Sequence, residues 1–276
     1  MVLTNEIECC ICGPVKNCGP YLGKVLENVE KIGSLFKEYE ICIFYDNSSD
    51  GTLNKLLNYK QANPRLKLYI NKKPKSEYRT HNLAYARNYC FKYIRKNKER
   101  FPFFIMMDFD DVNCKNVHPE ILPKYFERND WDGLSFDTSP KYYDVWALSI
   151  FPYCFSYNHF NQNEYNSYGV MQDYVTKKLR ELRNGQLLKC ISSFNGFSIY
   201  RTEKFLNSYY DGRLRFDVIP AQFIKKHAEK AKSNILLYDY GHVKGKYEDC
   251  EHRTFHAMAI KQTNAKIRIS PEVLFT

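Results

Sequence analysis

The sequence predicts a single α/β domain with a mostly parallel central sheet covered by helices on both faces. Three features of the chain carry that expectation. Apolar runs alternate with amphipathic segments throughout the first half, which is the rhythm of a parallel sheet with helical crossovers. Runs such as ICIFY (41–45) and FFIMM (103–107) lack period-two alternation, as strands buried on both faces do. Each run also ends in a polar loop.

In order, strands are expected at 7–13, 41–45, 66–70 and 103–107, and helices at 21–36, 52–59 and 83–96. In open sheets of this kind ligands bind beyond the carboxyl ends of the strands. The loops at 13–20, 46–51 and 108–113 should therefore converge on one crevice. The second half is less regular: a strand is expected at 131–136, an irregular aromatic stretch at 142–166, a helix at 170–183, a strand at 195–200 and a closing helix at 249–262. No low-complexity linker and no internal repeat divides the chain.

A length of 276 residues suffices for a substantial core without covalent staples. The net charge of +10 fits an anionic partner, but the basic residues are scattered and no basic tract interleaved with aromatics stands out. A small phosphorylated ligand fits this pattern, and nucleic acid is not the expected partner. The ten cysteines do not follow a leader-like segment: residues 1–10 contain Glu6 and Glu8 and lack a basic start. Reduced thiols and a cytoplasmic location are expected. The cluster Cys9, Cys10, Cys12 and Cys18 lacks paired CxxC spacing, so buried thiols are expected in preference to zinc. No apolar run reaches the ~18 residues of a membrane span.

Candidate chemistry lies in the loops. In DNSSDGT (46–52), Asp50 and Gly51 suit a helix cap, and Asp46 at a strand tip can accept hydrogen bonds from a nucleobase or from ribose hydroxyls. In YRTHNLAYARN (78–88), Arg79 and Arg87 are a little over two helical turns apart and reach toward one side, where they can meet phosphate or carboxylates. In MDFDD (107–111), Asp108 and Asp110 crowd the end of an apolar strand. Clustered carboxylates repel, and a divalent ion such as Mg²⁺ or Mn²⁺ relieves that repulsion while binding substrate phosphates. Asp111 receives no role. His252 and His256 are four apart, but Arg253 stands where a zinc HExxH motif needs Glu.

Together these loops resemble those of GT-A (Rossmann-like) glycosyltransferases, family 2 and its relatives. CGPVKNCGPYL (12–22) is similar to their first-strand loop, DNSSDGT to the second, RTHNLAYARN to the Arg-Asn helix and MDFDD to the DxD motif. WDG (131–133), YYDVWAL (142–148), FNGFSIY (194–200) and CEH (250–252) resemble a branch that includes capsule-associated and giant-virus enzymes.

The resemblance implies a nucleotide-binding half at 1–115 and an acceptor-binding half at 116–276. It implies a UDP-sugar donor held by Gly13, Pro14, Val15, Asp46, Ser48, Arg79, Arg87 and Asp108. A divalent metal would sit on Asp108 and Asp110, with a late histidine as a secondary ligand. Trp131, Asn195 and Gly196 would border a glycan or protein-linked acceptor. Transfer with inversion needs a carboxylate base, for which Glu251 is favoured over Asp249 and Glu248. Were the protein viral, it would act in the host cytoplasm. The family often carries two acidic residues where this chain has Tyr45-Asp46. Its Glu-Asp pair before the last helix corresponds here to Glu248-Asp249 or to Glu251-His252. A nucleotidyltransferase, or a non-catalytic protein binding nucleotides or nucleic acid, remains the alternative.

Overall fold

The structure, a computed structural model, describes residues 3–73, 76–151, 153–154, 167–231 and 248–276. Its strands are β1 (Glu8–Val15), β2 (Glu38–Tyr45), β3 (Leu66–Ile70), β4 (Phe103–Met107), β5 (Gly133–Asp137), β6 (Leu188–Cys190), β7 (Phe197–Arg201) and β8 (Ile267–Val273). They form one eight-stranded sheet in the order β3-β2-β1-β4-β7-β5-β8-β6. The half made of β3, β2, β1 and β4 is parallel throughout, and β7 enters antiparallel to both β4 and β5. The helices are α1 (Gly19–Gly33), α2 (Thr52–Ala62), α3 (Arg79–Lys96), α4 (Pro123–Phe126), α5 (Ser167–Arg180), α6 (Thr202–Phe205), α7 (Ala221–Ala231) and α8 (Glu251–Thr263).

Alternate residues of the central strands feed two separate cores. Cys9, Ile11, Ile43, Ile105 and Met107 pack with Leu22, Val25 and Val29 of α1 on one face. On the other face Cys10, Cys12, Phe44, Phe104 and Met106 pack with Cys90, Phe91 and Ile94 of α3 and with Phe255 of α8. Burial on both faces is why these strands read as continuous apolar runs. The clustered cysteines at the start of the chain are free buried thiols. Among the described residues, no helix is long and apolar enough to cross a membrane.

The close fit of β1 against β4 requires Gly13. A Cβ there would lie 2.0 Å from the Met107 carbonyl oxygen. Helix α8 is buried on every side from Glu251 to Ala259, which carries charged and imidazole side chains into the interior. Its first residue meets Arg87 of α3, and Phe255 one turn on packs against Phe91 and Tyr200.

Several boundaries differ from expectation. Helix α3 begins at Arg79, four residues earlier than predicted, and the predicted strands at 131–136 and 195–200 are shifted to Gly133–Asp137 and Phe197–Arg201. Strands β6 and β8 and helix α7 were not anticipated. Pro271 inside β8 argues against a central strand by local rules, but this strand pairs on both sides and the irregularity is absorbed by a register shift at Phe136/Asp137. Of the irregular stretch expected at 142–166, residues 152 and 155–166 lie outside the described part.

Candidate active site

The parallel register brings the tips of β1, β2 and β4 to one edge. Asp46 N donates to Val15 O (2.9 Å), which joins the first two loops directly. Asp50 then clasps two helix starts, its Oδ2 accepting from Gly19 N (2.9 Å) and its Oδ1 from Thr52 N (3.0 Å). Both helices begin with a carboxylate at the positive end of their dipole. Ser48 Oγ accepts from Asn17 N (2.9 Å) and so fastens the β1 loop to the β2 loop.

These tips, with the start of α3, enclose a cleft of about 430 Å³ that includes Pro14, Val15, Asp46, Arg79, Asp108 and Asp110. Asp46 is oriented by Asn71 Nδ2 (3.0 Å) and faces Lys16 Nζ at 3.8 Å. Asp110 takes one backbone hydrogen bond, from Val112 N (3.2 Å). Burial first, and then the charge of Asp108, push its carboxyl up to about 7, with Asp111 adding to the shift against the opposing Val112 amide and Arg87. Asp108 and Asp110 are hard oxygen donors open to this cleft, and suit Mg²⁺ or Mn²⁺ completed by phosphate oxygens. Among the described residues, no three His, Cys, Asp or Glu side chains are grouped as a metal cage.

Behind this cleft lies an ionic hub. Arg87 is 2% exposed; its Nη2 donates to Asp108 Oδ1 (2.8 Å) and its Nε to Glu251 Oε1 (2.7 Å). Burial pulls the Arg87 pKa down, but the two carboxylates outweigh burial and raise it above its ordinary value. The guanidinium also lies 4.5 Å over the ring of Phe194, on which His252 stacks at 3.8 Å.

A second cleft of about 190 Å³ opens on the other side of the hub and shares Arg79, Leu83 and Asp108 with the first. Its walls include Tyr143, Asp144, Trp146, Tyr168, Glu251 and His252. Burial pushes the Asp144 carboxyl up to about 6. A larger cavity, about 530 Å³, sits where β4 begins and contains none of the expected site residues.

Sequence-predicted residues thus fall into three groups. Pro14, Val15, Asp46, Arg79, Asp108 and Asp110 line the first cleft, while Arg87 and Glu251 line the second. Gly13, Ser48, Asn195 and Gly196 shape the backbone. Asn195 (φ 56°) and Gly196 (φ +80°) turn the chain with Phe197 N donating to Phe194 O (3.2 Å), as in a type I′ turn. The Asn195 amide oxygen accepts from Tyr143 N (3.1 Å) and Asp144 N (2.8 Å), and Gly196 O accepts from Asp108 N (2.9 Å). That turn supports both clefts from behind.

Trp131 and Asp249 do not fit their expected places. Trp131 is fully buried, with its indole N–H on Tyr125 O (2.8 Å), and lines neither cleft. Apolar packing takes this ring into the core. Asp249 is 1% exposed and pairs with Arg253 Nε (2.9 Å). Glu248 Oε2 caps α3 by accepting from Thr80 N (2.7 Å) and Thr80 Oγ1 (2.9 Å). His256 is engaged on both ring nitrogens, by Ser192 Oγ (2.9 Å) and Tyr200 OH (3.0 Å). The ring nitrogens of His252 take no hydrogen bond among the described residues. Burial, then Arg87, holds that imidazole well below its usual pKa and therefore neutral.

Tyr143, Asp144 and Trp146 lie in a stretch without regular structure, so no strand end could have pointed to them. Their signals in the sequence were an acidic residue inside an aromatic run and the likeness of YYDVWAL (142–148) to one glycosyltransferase branch.

A parallel half-sheet whose tips gather carboxylates beside a cleft of this size is the architecture of the GT-A fold, to which the structural neighbours below belong. The chain belongs to glycosyl transferase family 2, whose model matches residues 10–176. In sequence, no curated protein matches it. In structure it is similar to residues 1–349 of S. aureus TarS, with 13% identity and a TM-score of 0.50, covering 98% of this chain and 59% of that one. The same protein in complex with UDP-GlcNAc matches with 13% identity and a TM-score of 0.50, covering 98% of this chain and 57% of that one. At this identity the likeness is one of fold. The chain spans less than two thirds of the length of these structures.

Proposed function

We propose that the protein transfers a sugar from a nucleotide-sugar donor, a UDP-sugar, to a glycan or protein-linked acceptor, using a divalent cation and inverting the anomeric centre. The observation that carries this is the shared wall of the two clefts: Arg79 and Asp108 border both, so a diphosphate in one would present its sugar to the other. Asp46 would read the base or ribose, and the β1 tip at Pro14 and Val15 would lie against the nucleotide. Asp108 and Asp110 would hold the cation, which supplies charge neutralisation for the departing diphosphate. Arg87 fixes Asp108 from behind. The likeness to a fold captured with UDP-GlcNAc supports UDP, and inversion rests on family membership.

The test is release of nucleoside diphosphate from a panel of UDP- and GDP-sugars with Mn²⁺. Turnover is expected with at least one donor, and Asp110→Asn should reduce it by roughly 10²-fold or more. No turnover with any donor, together with DNA binding that falls steeply with salt, overturns the proposal.

A further inference from the structure

We propose that Asp144 is the base that removes the proton from the acceptor hydroxyl. This rests on the glycosyl-transfer reading above and assigns a residue that the motifs left without a role. The three carboxylates near α8 are each committed. Asp249 faces Arg253 at 2.9 Å, Glu248 caps α3 through Thr80, and Glu251 is bound by Arg87 at 2.7 Å. Each of the three therefore already serves a partner that the fold depends on.

Asp144 is placed differently. It lines the second cleft, next to the wall shared with the first. Its backbone is fixed by Asn195, whose amide oxygen accepts from both Tyr143 N and Asp144 N. Its Oδ1 accepts from Ala147 N (3.1 Å), and among the described residues its Oδ2 takes no hydrogen bond. One oxygen is therefore used for orientation while the other is left for a ligand.

The charged groups that face it are the carboxylates of Asp108 and Glu251 and the guanidinium of Arg87, with Arg79 and the neutral His252 on the same cleft. Burial raises its pKa, Asp108 and Glu251 add to this, and the Ala147 amide and Arg87 oppose it, for a value of about 6. Such a group is ionised at neutral pH, yet remains basic enough to accept a proton.

In the proposed step Asp144 Oδ2 takes the hydroxyl proton as the acceptor oxygen bonds to the anomeric carbon of the sugar. The bond from that carbon to the diphosphate oxygen breaks, and its electron pair leaves with the nucleoside diphosphate. The proton on Asp144 then passes to solvent.

The test uses Asp144→Asn, which keeps an oxygen for the Ala147 amide, alongside Glu251→Gln. Both are assayed for nucleoside diphosphate release from the donor that wild type turns over, with and without sodium azide. Azide attacks carbon without losing a proton, so it bypasses a missing base. Asp144→Asn is expected to lose about 10²-fold or more in kcat, keep wild-type affinity for UDP, and regain release when azide is added. Glu251→Gln is expected to gain nothing from azide. Turnover of Asp144→Asn within about threefold of wild type overturns the assignment, as does azide rescue of Glu251→Gln alone or of neither variant. If wild type itself releases nothing from any donor, the glycosyl-transfer reading fails, and the assignment falls with it.

Discussion

The carboxylates at the tip of β4 and those at the start of α8 are the same chemical group held in opposite circumstances. Asp110 has one amide hydrogen bond and two acidic neighbours, and its carboxyl resists ionisation. Asp249 is more deeply buried, but Arg253 meets both its oxygens at 3.2 and 2.9 Å and is itself held by Trp146 O, Leu148 O and Ser149 Oγ. Glu251 shares Arg87 with Asp108. An acidic motif therefore does not reveal which carboxylate is free for chemistry. The supply of buried cations decides that, and leaves the β4 tip with unmet negative charge.

The hub is where this contrast breaks most severely. Arg87→Met strands Asp108 and Glu251 together, and a loss of about 3–5 kcal/mol is expected, read as a fall in thermal melting of roughly 10 °C. Lysine at the same position should recover only part of it, because a single ammonium cannot span two carboxylates as the guanidinium fork does. Melting equal to wild type for Arg87→Met would show that the hub is not structural.

A smaller effect is expected at Asp249. Asp249→Asn leaves Arg253 without a countercharge but with one acceptor, so a loss of about 2–4 kcal/mol should appear in melting, while UDP affinity stays at the wild-type value. A fall in kcat with unchanged melting would reverse the comparison and return Asp249 to the chemistry.

The smallest effect is expected at the β4 tip. The folded protein holds a proton on Asp110 up to about pH 7, whereas an unfolded aspartate loses its own near pH 4. The folded state therefore binds more protons in that window, and stability falls as pH rises through it. Without divalent cations, Asp110→Asn should flatten this decline and melt a few degrees higher at pH 8, equivalent to about 1 kcal/mol. Added Mn²⁺ should raise the melting temperature of wild type and not of the variant. An identical pH dependence in the two proteins would mean that Asp110 is not the strained carboxylate.

Much of the donor side was legible because it follows from local pattern. Apolar runs bounded by polar loops located β1 to β4, and the parallel topology they imply sends the loops after β1, β2 and β4 to one edge. The Asp50 cap could be read from residue type alone. The acceptor side was not legible in this way. Tyr143 and Asp144 are fixed by Asn195, 51 or 52 residues away in sequence, and Asn195 is effective only because a positive-φ turn aims its amide. Trp131 was misplaced because a tryptophan beside an acidic turn has the same local signature whether it faces a sugar or a core.

The sequence alone determined the alternation of elements, the edge of the sheet where chemistry belongs, and the crowding of Asp108 and Asp110 at a strand end. These depend on side-chain periodicity and on how far a strand can run before it turns. Tertiary structure decided which charges neutralise one another. Arg87 reaches Asp108 across 21 positions and Glu251 across 164. Ion pairing in a buried site depends on distance and desolvation in three dimensions, and separation along the chain carries no record of either.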